Sequence, residues 1–289
     1  MPPRRVTALG RPANLPRVTL QIYRAGDDPG PDFAELVRRA GRSAPVPTSF
    51  VGSELDIPHG TTCVAVRYAD GVIMAGDRRA TSGNFISHRT IEKVFPADRH
   101  SGVAIAGAAG PAVEMVRLFQ LQLEHYEKVE GSPISLEGKA NQLSQMVRNH
   151  LPAAMQGLAV VPIFAGYDVA RSVGRLYQYD VTGGRYEEYD FASTGSGSMQ
   201  ASTVVKLGYR LDMSETDAVD LVLRALFEAA DEDSATGAPD LIRGIFPVVA
   251  TITADGFTRL GDDELRQRFE SILEGIRRER GGVEGGNIT

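Results

Sequence analysis

From Thr62 to Tyr68 the chain alternates between buried-type and smaller or polar positions. It turns at Ala69-Asp70-Gly71 and resumes with apolar residues over Val72–Ala75. That period of two on either side of a short Gly-containing turn predicts a β-hairpin. Further short strands are expected near Lys93–Phe95 and Gly102–Ala106. Pro111 then stands where the first turn of a helix tolerates a missing N–H. Val113, Val116, Leu118, Phe119, Leu121, Leu123 and Tyr126 follow at spacings that suit a largely buried helix. A second helix is expected after Ser135, with Leu136, Ala140, Leu143, Met146, Val147 and Leu151 on one stripe.

Strands resume over Leu158–Ala165 and Arg175–Asp180, and Thr182-Gly-Gly184 turns the chain into Arg185–Tyr189. Helices are expected over about 197–209 and 215–231, then strands near Phe246–Thr253 and Phe257–Arg259. A charged amphipathic helix over about 262–280 and a Gly-rich tail close the chain. Pairs of helices returning twice over strands point to sheet packed on sheet, with helices outside both. No internal repeat is present.

Composition changes this picture at one place. The first 60 residues hold nine of the sixteen prolines and no lysine, and their eight arginines outnumber six carboxylates. Of the net charge of −6, the leader therefore carries +2 and the rest −8. Its one plausible helical patch is Phe33–Arg39. Such a segment is either a flexible tail or a propeptide. We divide the chain into a leader, 1–60, and a packed domain, 61–289. The acidic balance argues against a nucleic-acid-binding face. Cys63 is the single cysteine, which excludes an intrachain disulfide and fits a reducing compartment. No run approaches the roughly eighteen apolar residues that cross a bilayer, and no apolar stretch follows Arg4 and Arg5 as a secretory signal would need. The expected location is the cytoplasm, with no membrane partner.

Candidate chemistry is sparse by elimination. His59, His88, His100, His125 and His150 are scattered without metal-ligand spacing, so no metal or other cofactor is expected. Ser193-Thr-Gly-Ser-Gly-Ser198 has neither the strand-to-helix nucleophile elbow nor a phosphate-loop lysine, and reads as a small flexible loop before a helix. Gly60-Thr61-Thr62 is a common tripeptide, but it falls at the junction between leader and domain and opens a strand. Cleavage between Gly60 and Thr61 would give Thr61 a free α-amine, a base attached to its own nucleophile.

From these residues onward the sequence resembles the proteasome β-subunit family, over nearly all of 61–289. Thr61-Thr62 and the first strand are followed by Gly71-Val-Ile-Met-Ala-Gly-Asp77-Arg-Arg-Ala-Thr81. Next come Ile91-Glu-Lys93-Val-Phe95, the small-residue loop Ile105-Ala-Gly107-Ala-Ala-Gly110, Gly195-Ser196-Gly197, and Asp233-Ser-Ala-Thr236-Gly237. The motifs stand in the family's order at plausible spacing. The long leader and Thr236, where the family usually has serine, are similar to the actinobacterial branch.

The resemblance implies an α/β (α+β) fold of N-terminal-nucleophile hydrolases: a four-layer αββα sandwich of two antiparallel sheets flanked by helices. It implies a threonine endopeptidase that cuts itself between Gly60 and Thr61, a site where a residue without Cβ tolerates close approach of the hydroxyl. Lys93 would stand beside the Thr61 oxygen and Asp77 would fix Lys93. Ser196, Asp233 and Thr236 would hold the amine and relay protons. The Gly107 N–H would face the oxyanion. Taken singly, Asp77 and Lys93 are also an ordinary ion pair, Gly107 a turn glycine and Asp233 a solvated helix-end charge.

Family positions lining the substrate pocket fall on Ala80, Thr81, Ile91, Phe95, Ile105, Ala109 and Val113. Apart from Thr81 they are apolar, and an apolar pocket favours an apolar P1 side chain. The implied partners are proteasome α-subunits and other β-subunits in stacked heptameric rings, a ring-shaped ATPase, and substrates tagged with prokaryotic ubiquitin-like protein. Two rivals are a smaller proteasome-like heat-shock peptidase, disfavoured by the long leader and C-terminal extension, and a silent structural β-subunit, disfavoured because Gly60, Thr61 and Lys93 are all present.

Overall fold

In the computed structural model the alternation along the first strand buries both of its faces. β1, Thr62–Tyr68, sends Val64, Val66 and Tyr68 to one side and Cys63 and Ala65 to the other. β2, Gly71–Gly76, does the same with Ile73 and Ala75 against Val72 and Met74. Two buried faces require a layer on each side, and the rest of the chain supplies them. The structure describes residues 61–281; the leader, Gly60, its helical patch and the Gly-rich tail lie outside the described residues.

The order after β2 is a short hairpin, β3 (Ala80–Ser82) and β4 (Phe85–His88), then β5 (Val94–Asp98) and β6 (Ser101–Gly107). Two helices follow, α1 (Ala109–Glu130) and α2 (Leu136–Ala154). Next come β7 (Val160–Asp168), β8 (Val173–Tyr179), β9 (Arg185–Glu188) and β10 (Phe191–Gly195). Helices α3 (Ser198–Gly208) and α4 (Glu215–Glu232), strands β11 (Val248–Thr253) and β12 (Gly256–Arg259), and helix α5 (Asp262–Gly281) complete the fold. One antiparallel sheet runs β10-β1-β2-β11-β12 and a second runs β5-β6-β7-β8-β9.

Three cores separate four layers. Val222, Leu226 and Phe269 of α4 and α5 cover Ile73 and Val249 of the first sheet. Phe119 and Leu143 of α1 and α2 cover Phe164 and Tyr177 of the second. Between the sheets lie Met74, Ile163, Leu176 and Ile252, with small residues such as Ala65, Ala104 and Ala250 around them. The fold is thus the expected αββα sandwich. Ser135 and Ser214 cap α2 and α4 by accepting the Gly138 and Asp217 N–H groups. Among the described residues no helix is long and apolar enough to cross a membrane.

Three expectations need correction. The hydrophobic pattern predicts neither β10 nor the β3–β4 hairpin. β10, Phe-Ala-Ser-Thr-Gly, carries little apolar signal, and its buried Ser193 and Thr194 are satisfied by hydrogen bonds to Ser198 O and Val161 O instead. Consequently Ser193–Gly195 is strand, not flexible loop, and α3 starts at Ser198 after a tight turn. On α1, Leu118, Leu121 and Tyr126 are exposed; the buried stripe is Ala112, Met115, Val116, Phe119 and Leu123. An outer helix has one sheet to cover, so only one of its apolar faces is used.

The sheets approach closely where Gly174 of β8 meets Gly71 of β2. A Cβ on Gly174 would sit 2.6 Å from the backbone carbonyl carbon and oxygen of Gly71. Gly174→Val is therefore expected to force the layers apart and cost about 1–3 kcal/mol, read as a lowered midpoint in thermal denaturation.

Candidate active site

Thr61 stands immediately before β1 and is buried, 5% exposed. Its carbonyl accepts the Ser196 N–H at 2.8 Å. The next residue, Thr62, pairs across the sheet with Gly195. Gly195 has φ of 103°, and a Cβ there would lie 1.7 Å from the Thr61 carbonyl oxygen. Only glycine lets β10 end this close to Thr61.

On the other side β1 pairs with β2 so that Cys63 faces Gly76, which places Asp77 beside Thr62. Asp77 is fully buried and accepts four hydrogen bonds. Oδ1 takes the Thr62 N–H at 2.8 Å and Lys93 Nζ at 2.6 Å. Oδ2 takes the Arg79 and Gly237 N–H groups, each at 2.8 Å. A buried carboxylate so surrounded has its charge both paired and solvated by fixed dipoles.

Lys93 comes from the other sheet. It precedes β5, and its carbonyl accepts the Ile105 N–H at 2.9 Å. Its side chain, also buried, donates to Asp77 and to the Arg79 carbonyl at 2.6 Å. Gly107 ends β6 with φ of 117°, where a Cβ would meet Ala159 O at 2.1 Å. α1 begins two residues later without a side-chain cap at Ala108, and Ala108 and Ala109 border the same cleft as Thr61.

A second network adjoins the first through Thr236 and Gly237. Asp233 ends α4, and its Oδ2 accepts Ser196 Oγ and Thr236 Oγ1, each at 2.5 Å. Oδ1 accepts the Ala235 N–H at 3.1 Å. Thr236 is fully buried and its hydroxyl also lies 2.6 Å from Thr62 Oγ1. The methyl that distinguishes Thr236 from serine does not prevent either contact.

Thr61, Lys93 and Gly107 line one cleft of about 320 Å³. Ala80, Thr81, Ile91, Ile105, Ala109 and Val113 line it with them. Phe95 does not; it lies on an adjoining open groove with Ile91 and Val113. Ser87, His88 and Glu92 also border the cleft, and sequence reasoning missed them. Ser87 and His88 belong to the unforeseen β4, and the Glu92 carboxylate accepts Arg259 Nη1 at 2.6 Å. The N–H donors of Arg79 and Gly237 to Asp77 were missed as well; the Asp77-Arg-Arg and Thr236-Gly237 adjacencies are the only sequence signal for them.

Two stacked antiparallel sheets with helices outside both are consistent with the proteasome-type αββα sandwich. The comparisons with known proteins agree. The model of the family described as proteasome subunit matches residues 57–240. The chain is 59% identical over 267 residues to "Proteasome subunit beta" of Acidimicrobium ferrooxidans, covering 92% of this chain and 97% of that one. It is 60% identical to the protein of the same name from Streptomyces griseus, over 76% of this chain and 78% of that one. For the Acidothermus cellulolyticus protein of that name the identity is 56%, over 77% and 78%. The chain belongs to the proteasome subunit family.

Cys63, one residue from this network, is fully buried. Burial pushes its thiol up to about 12, outweighing the opposing pull of Lys93, and its Sγ lies 3.6 Å from Ile105 O. It stays protonated at pH 8. Iodoacetamide at that pH is expected to leave Cys63 unmodified in the folded protein and to label it after denaturation, as read by intact mass.

Proposed function

We propose that this chain is a catalytic β-subunit of a proteasome core, a threonine endopeptidase that matures by cutting itself between Gly60 and Thr61. The observation that carries the reading is the cleft itself: Thr61 borders it at the head of β1, together with a Lys93 that Asp77 holds in place. The relatives' shared name, proteasome subunit beta, gives the same direction.

In this reading the Thr61 hydroxyl first attacks the Gly60 carbonyl, and hydrolysis of the resulting ester releases residues 1–60. The α-amine so freed has an ordinary pKa of about 7.7–8.0 and serves as general base near neutrality. It takes the Thr61 hydroxyl proton as Oγ attacks the scissile carbonyl of a bound chain. The positive charge of Lys93 favours the alkoxide electrostatically. The Gly107 N–H stabilises the tetrahedral oxyanion, a contribution of about 3 kcal/mol for such a donor. The amine then protonates the leaving amine, and water, activated by the same base, hydrolyses the acyl ester. Ser196, Asp233 and Thr236 hold the amine and carry protons to and from it.

The reading extends to a complete particle. Residues 61–289 form the hydrolase domain with a helical C-terminal extension, in seven-membered β-rings stacked between α-rings in the cytoplasm. A ring-shaped ATPase feeds it chains tagged with prokaryotic ubiquitin-like protein. Assembly supplies a use for the apolar residues that the fold leaves outside, among them Leu118, Leu121 and Val129 on α1 and Met199 and Leu207 on α3.

Thr61→Ala is expected to leave the leader attached, seen as the full-length mass in assembled particles, and to abolish peptidase activity. Retention of residues 1–60 in wild-type particles would instead identify a silent structural subunit. The cleft's side chains set the second expectation. With Ile91, Ile105 and Val113 in the wall and Glu92 engaged by Arg259, fluorogenic peptides with Leu, Phe or Tyr at P1 should exceed those with Asp or Arg by about tenfold or more in kcat/KM. Equal turnover of the charged peptides counts against the apolar assignment.

A further inference from the structure

Thr62 has a side chain that the reaction above does not use, although it is fully buried at the centre of the site. Its Oγ1 accepts the Gly197 N–H at 3.0 Å and lies 2.6 Å from Thr236 Oγ1. The polarity of that second contact follows from the groups around it. Asp233 Oδ2 is a carboxylate oxygen and accepts, so the Thr236 hydroxyl spends its one proton there. Thr236 must therefore receive at its oxygen, and Thr62 must donate. The chain runs one way: Gly197 N–H to Thr62 Oγ1, Thr62 to Thr236, Thr236 to Asp233, with Ser196 Oγ arriving at the same carboxylate oxygen from the other side.

Space around the chain is limited. A Cβ on Gly197 would lie 2.6 Å from Thr62 Oγ1, 2.8 Å from Thr236 Oγ1 and 3.2 Å from Asp233 Oδ2. Gly197 has ordinary negative φ, so its backbone conformation does not demand glycine; the hydroxyls do.

We propose that Thr62 is a positioning residue for the peptidase reaction, acting through Thr236 to orient the Asp233 carboxylate and, with it, the Ser196 hydroxyl. The inference rests on the threonine-peptidase reading. Thr62 does not border the substrate cleft, so its contribution belongs to the chemical step and not to binding. Removing its hydroxyl leaves the buried Gly197 N–H without an acceptor and lets the Thr236 hydroxyl turn away from Asp233.

The test is steady-state kinetics on assembled, processed particles, with rates normalised to the processed subunit by intact mass. Thr62→Val is expected to lower kcat by about tenfold or more with KM within about twofold of wild type, and Thr62→Ser to restore kcat to within about twofold. Because the hydroxyls act in series, Thr62→Val combined with Thr236→Val should be no slower than the slower single variant. Wild-type kcat in Thr62→Val, failure of serine to rescue, or effects that multiply in the double variant would each overturn the proposal. If Thr62→Val does not assemble, Thr62→Ala is measured in its place and judged by the same outcomes. Activity in Thr61→Ala would defeat the threonine-peptidase reading itself, whereas an inactive Thr61→Ala beside a wild-type Thr62→Val defeats only the role of Thr62.

Discussion

The Asp77 carboxylate is the point on which the site is built. Its four hydrogen bonds come from four separate places: Thr62 at the start of β1, Arg79 just beyond β2, Lys93 before β5, and Gly237 after α4. The first sheet, the second sheet and the segment that follows the helical layer are thus tied to one buried group. Desolvating an isolated carboxylate and an isolated ammonium costs several kcal/mol each, so neither Asp77 nor Lys93 belongs in this interior alone. Together, with every oxygen lone-pair direction served by a fixed donor, they are tolerated, and the geometry around them becomes nearly rigid. Loss of either partner leaves an uncompensated buried charge, a change of about 3–5 kcal/mol in comparable pairs.

That rigidity bears on how a sandwich of two sheets keeps a cleft beside Thr61. β1 is central in its sheet, paired on one side with β2 and on the other with β10, so the backbone after Thr61 is fixed by two registers. Lys93 reaches across from the second sheet, and Gly107 ends the neighbouring strand β6 of that sheet. The cleft lies between layers whose separation is set by small residues, such as Gly174 against Gly71 and Gly102 against Met74 and Phe257. Larger side chains there would move Lys93 relative to Thr62 and loosen the ion pair.

Legibility from sequence followed the physics of each element. β1, β2, β6 and β7 carry apolar side chains on both faces, and their existence and type were plain. β10 was not, because its buried faces are filled by Ala192, Ser193 and Thr194, whose hydroxyls find partners only once the fold exists. The β3–β4 hairpin is largely exposed, with Phe85 80% accessible, so no burial pattern marks it; Ser87 and His88 at the cleft were lost with it. Thr61, Asp77, Lys93, Gly107, Ser196, Asp233 and Thr236 were singled out through motif order, and the structure gathers them around one residue. Phe95, chosen by the same reasoning, lies beyond the cleft on the adjoining groove, with Ile91 and Val113. The Thr62–Thr236 contact joins residues 174 apart in sequence, and nothing local in either one announces it.

Thr61 is anchored through its carbonyl and through the N–H that follows it, and that bears on how a leader can be lost without disturbing the site. Its carbonyl is fixed by the Ser196 N–H at 2.8 Å, with Ser196 Oγ at 3.4 Å, while Gly195 packs against the same oxygen. The following N–H is fixed by Asp77. All these anchors lie on the C-terminal side of Thr61, within the folded sandwich. In the proposed reaction the bond that breaks is on the N-terminal side, so cleavage changes the chemistry of the nitrogen, from an amide with no basicity to an amine with a usable lone pair, while the anchors that place the hydroxyl stay as they were. In that reading the strand that places Thr61 for attack on the bond before it also places it for attack on a bound substrate.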